Sequence, residues 1–87
     1  MLSVVSIIIE EPDKNSGKVN DIISNYRNYI KGRMGIPFDD RNIGIITIIL
    51  DCDINQVNAL TGKIGKLKGV YARATFQNKA KNLNQGD

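Results

Sequence analysis

Arg33 stands in the segment G-R-M-G, Gly32 to Gly35, and is the side chain best suited to hold a ligand. Its planar guanidinium offers a two-pronged donor fork to a carboxylate or a phosphate. Gly32 and Gly35 lack a Cβ, so the backbone on either side of Arg33 and Met34 can approach a bound molecule closely. Ile36 and Pro37 continue the same candidate segment. The competing reading is structural. Gly32 would end a helix, Gly35 would relieve an edge strand, and Arg33 would pair with an acid at an interface.

Other residues have chemistry to offer but lack company. Gly62 and Gly65 in T-G-K-I-G-K fall inside a helical pattern, where each glycine costs about 1 kcal/mol relative to alanine. Close approach of a strand or a neighbouring subunit would explain them better than a phosphate loop, which opens a helix and has a different spacing. Asp51, Cys52 and Asp53 are competent metal ligands, but one cysteine without histidine makes a poor closed site, so no metal is expected. Lys63, Lys66, Lys68, Arg73 and Lys79 could form a basic surface for nucleic acid, although lysines on the polar side of a helix ordinarily serve solubility. Catalysis has no foothold. There is no histidine, and the adjacent Glu10 and Glu11 would point to opposite faces of a strand. A non-enzyme that needs no cofactor is the reading.

The composition sets the frame. The chain has 87 residues, 41% hydrophobic and 24% charged, which suits one folded domain. A net charge of +3 without a run of like charges makes nucleic acid an unlikely partner. A single cysteine excludes an intrachain disulfide and fits a reducing cytoplasm. The opening M-L-S-V-V-S-I-I-I-E lacks the basic region and cleavage site of a secretory signal, and its apolar run falls short of the roughly 20 residues that span a bilayer.

The elements that position these residues follow from the hydrophobic pattern. Leu2 to Ile9 reads as a buried strand. A loop over Glu11 to Ser16 follows, with Ser16 capping a helix whose stripe is Val19, Ile22, Ile23, Tyr26 and Ile30. Gly32 ends or follows that helix, and Arg33 to Phe38 forms a short edge strand. Ile43 to Leu50 is the next strand. Asp53 caps a second helix with Gln56 three residues on, its stripe being Ile54, Val57, Leu60, Ile64 and Leu67. Gly69 closes it, and Val70 to Gln77 is the last strand. The order β-α-β-β-α-β is that of a ferredoxin-like α+β sandwich, a four-stranded antiparallel sheet with two helices on one face. It occupies residues 1–77, and 78–87 reads as a flexible tail.

Such a fold leaves one sheet face uncovered, and the strand I-G-I-I-T-I-I-L is apolar on both of its sides. The uncovered set is expected to be Val4, Ser6 and Ile8 with Ile45, Thr47 and Ile49, or the alternating residues if the register slips by one. Tyr71 is the only aromatic residue expected there. A contiguous apolar face of this kind calls for a homo-oligomer, dimer or tetramer.

Two segments carry a resemblance beyond the fold pattern. Y-I-K-G-R-M-G-I-P-F, Tyr29 to Phe38, and N-A-L-T-G-K-I-G-K-L-K-G-V, Asn58 to Val70, together with I-S-N-Y, resemble the iron-only hydrogenase system regulators. That family comprises small cytoplasmic proteins with an ACT-like, ferredoxin-type fold, and its name rests on association with hydrogenase genes. The resemblance implies an oligomeric regulatory module that senses a small-molecule effector at a subunit interface and acts through a protein partner. The alternative is an assembly module that makes protein contacts without a ligand. The fold is also similar to the sensing half of nickel-responsive repressors, but the lack of histidine prevents any transfer of a nickel site.

Overall fold

The β-branched run at the start of the chain extends as β1 (Leu2–Glu10), the first element of a computed structural model that describes residues 1–77. The chain continues through α1 (Pro12–Ser24), a 3-10 turn (Arg27–Tyr29) and β2 (Ile30–Phe38). A second 3-10 turn (Asp39–Arg41), β3 (Ile43–Asp51), α2 (Ile54–Gly65) and β4 (Val70–Phe76) complete it. The four strands form one antiparallel sheet in the order β2-β3-β1-β4, so the two most apolar strands are central. This is the ferredoxin-like α+β arrangement that the hydrophobic pattern predicts.

One face of the sheet carries the core. Val5, Ile7 and Ile9 of β1 and Ile46, Ile48 and Leu50 of β3 pack beneath Val19 and Ile23 of α1 and Val57, Leu60 and Ile64 of α2. Asp53 caps α2 as expected, its carboxylate accepting from the Gln56 amide at 3.0 Å. Gly69 turns the chain into β4 with a φ of 81°, a left-handed conformation that glycine adopts without strain.

The first helix departs from the sequence reading at both ends. It begins at Pro12, not after a Ser16 cap, because proline fits the first helical position, where its missing N–H is not needed. Glu11 turns the chain there with a φ of 49°. The helix ends at Ser24, and the apolar stripe outlasts it because a 3-10 turn keeps Tyr26 in the core. Gly32 consequently sits within β2, next to a bulge between Ile30 and Gly32, and ends no helix. At Gly62 and Gly65 no close approach of a strand is found among the described residues, since a Cβ at either would meet nothing within 4 Å, and the neighbouring-subunit alternative stands. The predicted tail, 78–87, lies outside the described residues.

Candidate functional site

Strand alternation divides the G-R-M-G segment. Met34 pairs with Thr47 and Gly32 with Ile49, which places both on the open sheet face. Arg33 and Gly35 pair with Ile48 and Ile46 and face the helices. These two line a cleft of about 470 Å³ between the start of α1 and the β2–β3 edge, with Pro12, Asp13, Ser16 and Asp39 also on its wall. Gly44 lies beneath the start of α1, where a Cβ would stand in ordinary contact at 3.6 Å from Pro12 Cγ. The Arg33 guanidinium donates to Asn20 Oδ1 on α1. Among the described residues it has no carboxylate partner, the ion pairs being Met1 with Asp51 and Lys14 with Glu11.

The opposite face is the larger feature. Val4 lies opposite Ile49, Ser6 opposite Thr47 and Ile8 opposite Ile45, so all six residues expected on the open face are neighbours on it. Met34, Ile36 and Phe38 of β2 and Tyr71 of β4 extend the same face to both edges of the sheet. Met34 is 58% exposed, Tyr71 54% and Ile8 44%, whereas the adjoining Ile7 is fully buried on the other side. Phe38 is a second aromatic on this face, beyond the one the sequence reading placed there; its face follows from its pairing with Ile43.

The register sorts the face into rows. Ile36, Ile45, Ile8 and Tyr71 form one row across the sheet, and Gly32, Ile49, Val4 and Thr75 another. Between them runs Met34, Thr47, Ser6 and Arg73. That middle row is polar through most of its length, and sequence patterning by strand could not show it, because it crosses all four strands. A hollow of about 520 Å³ opens over Ser6, Ile8, Tyr71 and Arg73 and curves round the β4 edge to Gly65.

The remaining candidates stay apart. The Lys63 ammonium donates to Tyr26 Oη at 2.9 Å and lies 5.2 Å from the ring centroid, a cation–π contact on the helical side. Arg73 emerges on the open face, away from the helical side that holds Lys63, and Lys79 is outside the described residues. Burial is the main influence that raises the Cys52 thiol pKa, helped by the neighbouring carboxylates of Asp53 and Asp51 against the opposing amino terminus. Among the described residues no group of three or more His, Cys, Asp or Glu side chains is placed to hold a metal. No helix among them is long and apolar enough to cross a membrane.

Known proteins show where this architecture recurs. The uncharacterised protein TM1266 from Thermotoga maritima superposes with a TM-score of 0.82 at 30% identity, over 85% of this chain and 92% of that one. A formyltetrahydrofolate deformylase from Pseudomonas putida KT2440 shares the fold at a TM-score of 0.65 and 12% identity, over 88% of this chain but only 29% of that protein. No curated protein matches the sequence. The profile of the TM1266-like family, iron-only hydrogenase system regulators, matches residues 1–74, nearly all of the described fold. The chain belongs to that family.

Proposed function

We propose that this protein is a small oligomeric, ACT-like regulatory module of a hydrogenase system, which binds a small ligand at a subunit interface and catalyses nothing itself. The regulatory role comes with the family. The observation that carries the rest is the open sheet face, where Val4, Ile8, Ile36, Ile45 and Ile49 adjoin without cover. Its area comes close to what a partner needs. At about 4.8 Å between strands and 3.3 Å per residue, four strands over seven residues span roughly 440 Å² in projection. Two such faces together approach the roughly 1,000 Å² that a specific interface needs. A second copy is the occupant that this chain itself supplies, and a two-fold axis would bring the same apolar rows from each side. Gly32 and Met34 would then lie at the interface, with Arg33 and Gly35 just behind them in the cleft.

Native mass spectrometry of the freshly purified protein tests this reading. The expected result is a dimer or tetramer that carries additional small-molecule mass. A bare oligomer that no metabolite stabilises against heat would leave an assembly module in place of a sensor. A monomer at all concentrations would remove the oligomeric reading altogether.

A further inference from the structure

A second copy closing over the sheet would trap a charge that the face does not balance. Arg73 stands at the β4 end of the polar row, beside Ser6 and then Thr47, and its guanidinium has no hydrogen-bond or ion-pair partner among the described residues. The two carboxylates bordering the face are remote and engaged. Asp51, opposite Leu2 at one end, accepts from the Met1 amino group at 3.1 Å. Glu10, at the other end, accepts from the Tyr71 hydroxyl at 3.4 Å. Each end lies four residues along β1 from Ser6, a backbone separation of about 13 Å at 3.3 Å per residue, and neither carboxylate is paired with Arg73. A guanidinium left buried and unpaired opposes association. The partner makes matters worse, because it brings the same cation on a chain of net charge +3.

We propose that the hollow over Ser6 and Arg73 binds a small anion carrying a carboxylate or phosphate group, and that the site is completed when a second copy covers the face. The inference rests on the oligomeric reading above and gives its interface ligand a place and a chemical class. Arg73 supplies the planar fork that such a group accepts in two parallel hydrogen bonds. Ser6, on the neighbouring strand about 4.8 Å away, supplies a hydroxyl donor beside it. Ile8 and Tyr71 wall the hollow on one side and keep water from competing once the second sheet is in place. The anion neutralises the paired cations, so its binding and dimer formation strengthen each other by linkage.

The experiment is a sedimentation-equilibrium series in chloride buffer, with inorganic phosphate or succinate then replacing chloride at fixed ionic strength. For the unaltered chain, at least one of the two anions should tighten the dimer constant by roughly tenfold or more, about 1.4 kcal/mol. A response to phosphate alone assigns a phosphoryl ligand, and a response to succinate alone assigns a carboxylate. Arg73→Gln alters an exposed side chain without touching the core. It should dimerise in chloride at least as tightly as the unaltered chain and show no response to either anion. A dimer indifferent to both anions, or an Arg73→Gln variant that responds as the unaltered chain does, overturns the anion site and leaves the oligomeric reading standing. A monomer under every condition overturns both.

Discussion

Ile7 and Ile8 are adjacent isoleucines in β1 with opposite duties, and truncating each in turn separates the core from the interface. Replacing isoleucine by alanine removes three carbons, worth about 0.8 kcal/mol each when fully buried, or roughly 2.4 kcal/mol. Ile7 is 0% exposed beneath the helices, so Ile7→Ala adds a cavity to that loss and should cost about 2–5 kcal/mol. At 4–8 °C per kcal/mol for a domain of this size, the melting temperature should fall by about 8 °C or more at every protein concentration. Ile8 is 44% exposed on the open face, leaving roughly 1 kcal/mol per copy to be gained only when a second sheet covers it. A symmetric pair would lose about 2 kcal/mol, a rise of roughly thirtyfold in the dimer dissociation constant. Sedimentation equilibrium reads that constant, and melting curves across a dilution series read the stability. Ile8→Ala should depress the melting temperature more in concentrated than in dilute solution, whereas the Ile7→Ala deficit should not depend on association. An unchanged dimer constant in Ile8→Ala would refute the placement of Ile8 in the interface.

The other consequences are local. Asp53→Ala removes the carboxylate that caps α2 and should cost about 1 kcal/mol in chemical denaturation, with Asp53→Asn close to the unaltered chain; equal losses would discount the cap. Gly62→Ala, in open space on α2, should stabilise by up to about 1 kcal/mol, while Gly69→Ala, at a φ of 81°, should destabilise by about that amount or more. A Gly62→Ala variant with weakened association would instead show a neighbouring copy meeting that helix. The Cys52 thiol is held above its ordinary pKa of 9.0 chiefly by burial. Folding therefore favours its neutral form, and that contribution is present below about pH 9 and lost as pH rises through the higher folded value. Iodoacetamide at pH 8 should alkylate Cys52 more slowly in the folded chain than in urea; equal rates would contradict the shift.

Much of the architecture was legible because burial in a sheet writes itself into alternate residues. Val5, Ile7 and Ile9 point into the core and Val4, Ser6 and Ile8 away from it, and the two-sided greasiness of β1 and β3 announced central strands. The limits of α1 were less legible because two signals compete there. Ser16 is a good cap residue, but Pro12 and the acidic Asp13 also mark a helix start, and the backbone followed the earlier pair. At the far end Ile30 fits the helical stripe, yet the 3-10 turn returns the chain to the sheet before it. Periodicity reports which side chains are buried and not which element buries them. The G-R-M-G segment looked like one site in sequence, but its residues diverge because consecutive strand residues face opposite ways. The Met34, Thr47, Ser6 and Arg73 row was hidden for the converse reason. Its members are far apart in sequence and meet only through the register.

The central claim is that a second copy covers the open sheet face. Sedimentation velocity of the unaltered chain beside Ile45→Lys with Ile49→Lys tests it most directly. Both substitutions place an ammonium among Val4, Ile8 and Ile36 without entering the helix-covered core, and burying such charges unpaired costs several kcal/mol. The unaltered chain should sediment as a dimer or larger assembly, and the double variant as a folded monomer with an intact circular-dichroism spectrum. A monomeric unaltered chain, or an oligomer that persists in the double variant, would contradict the account.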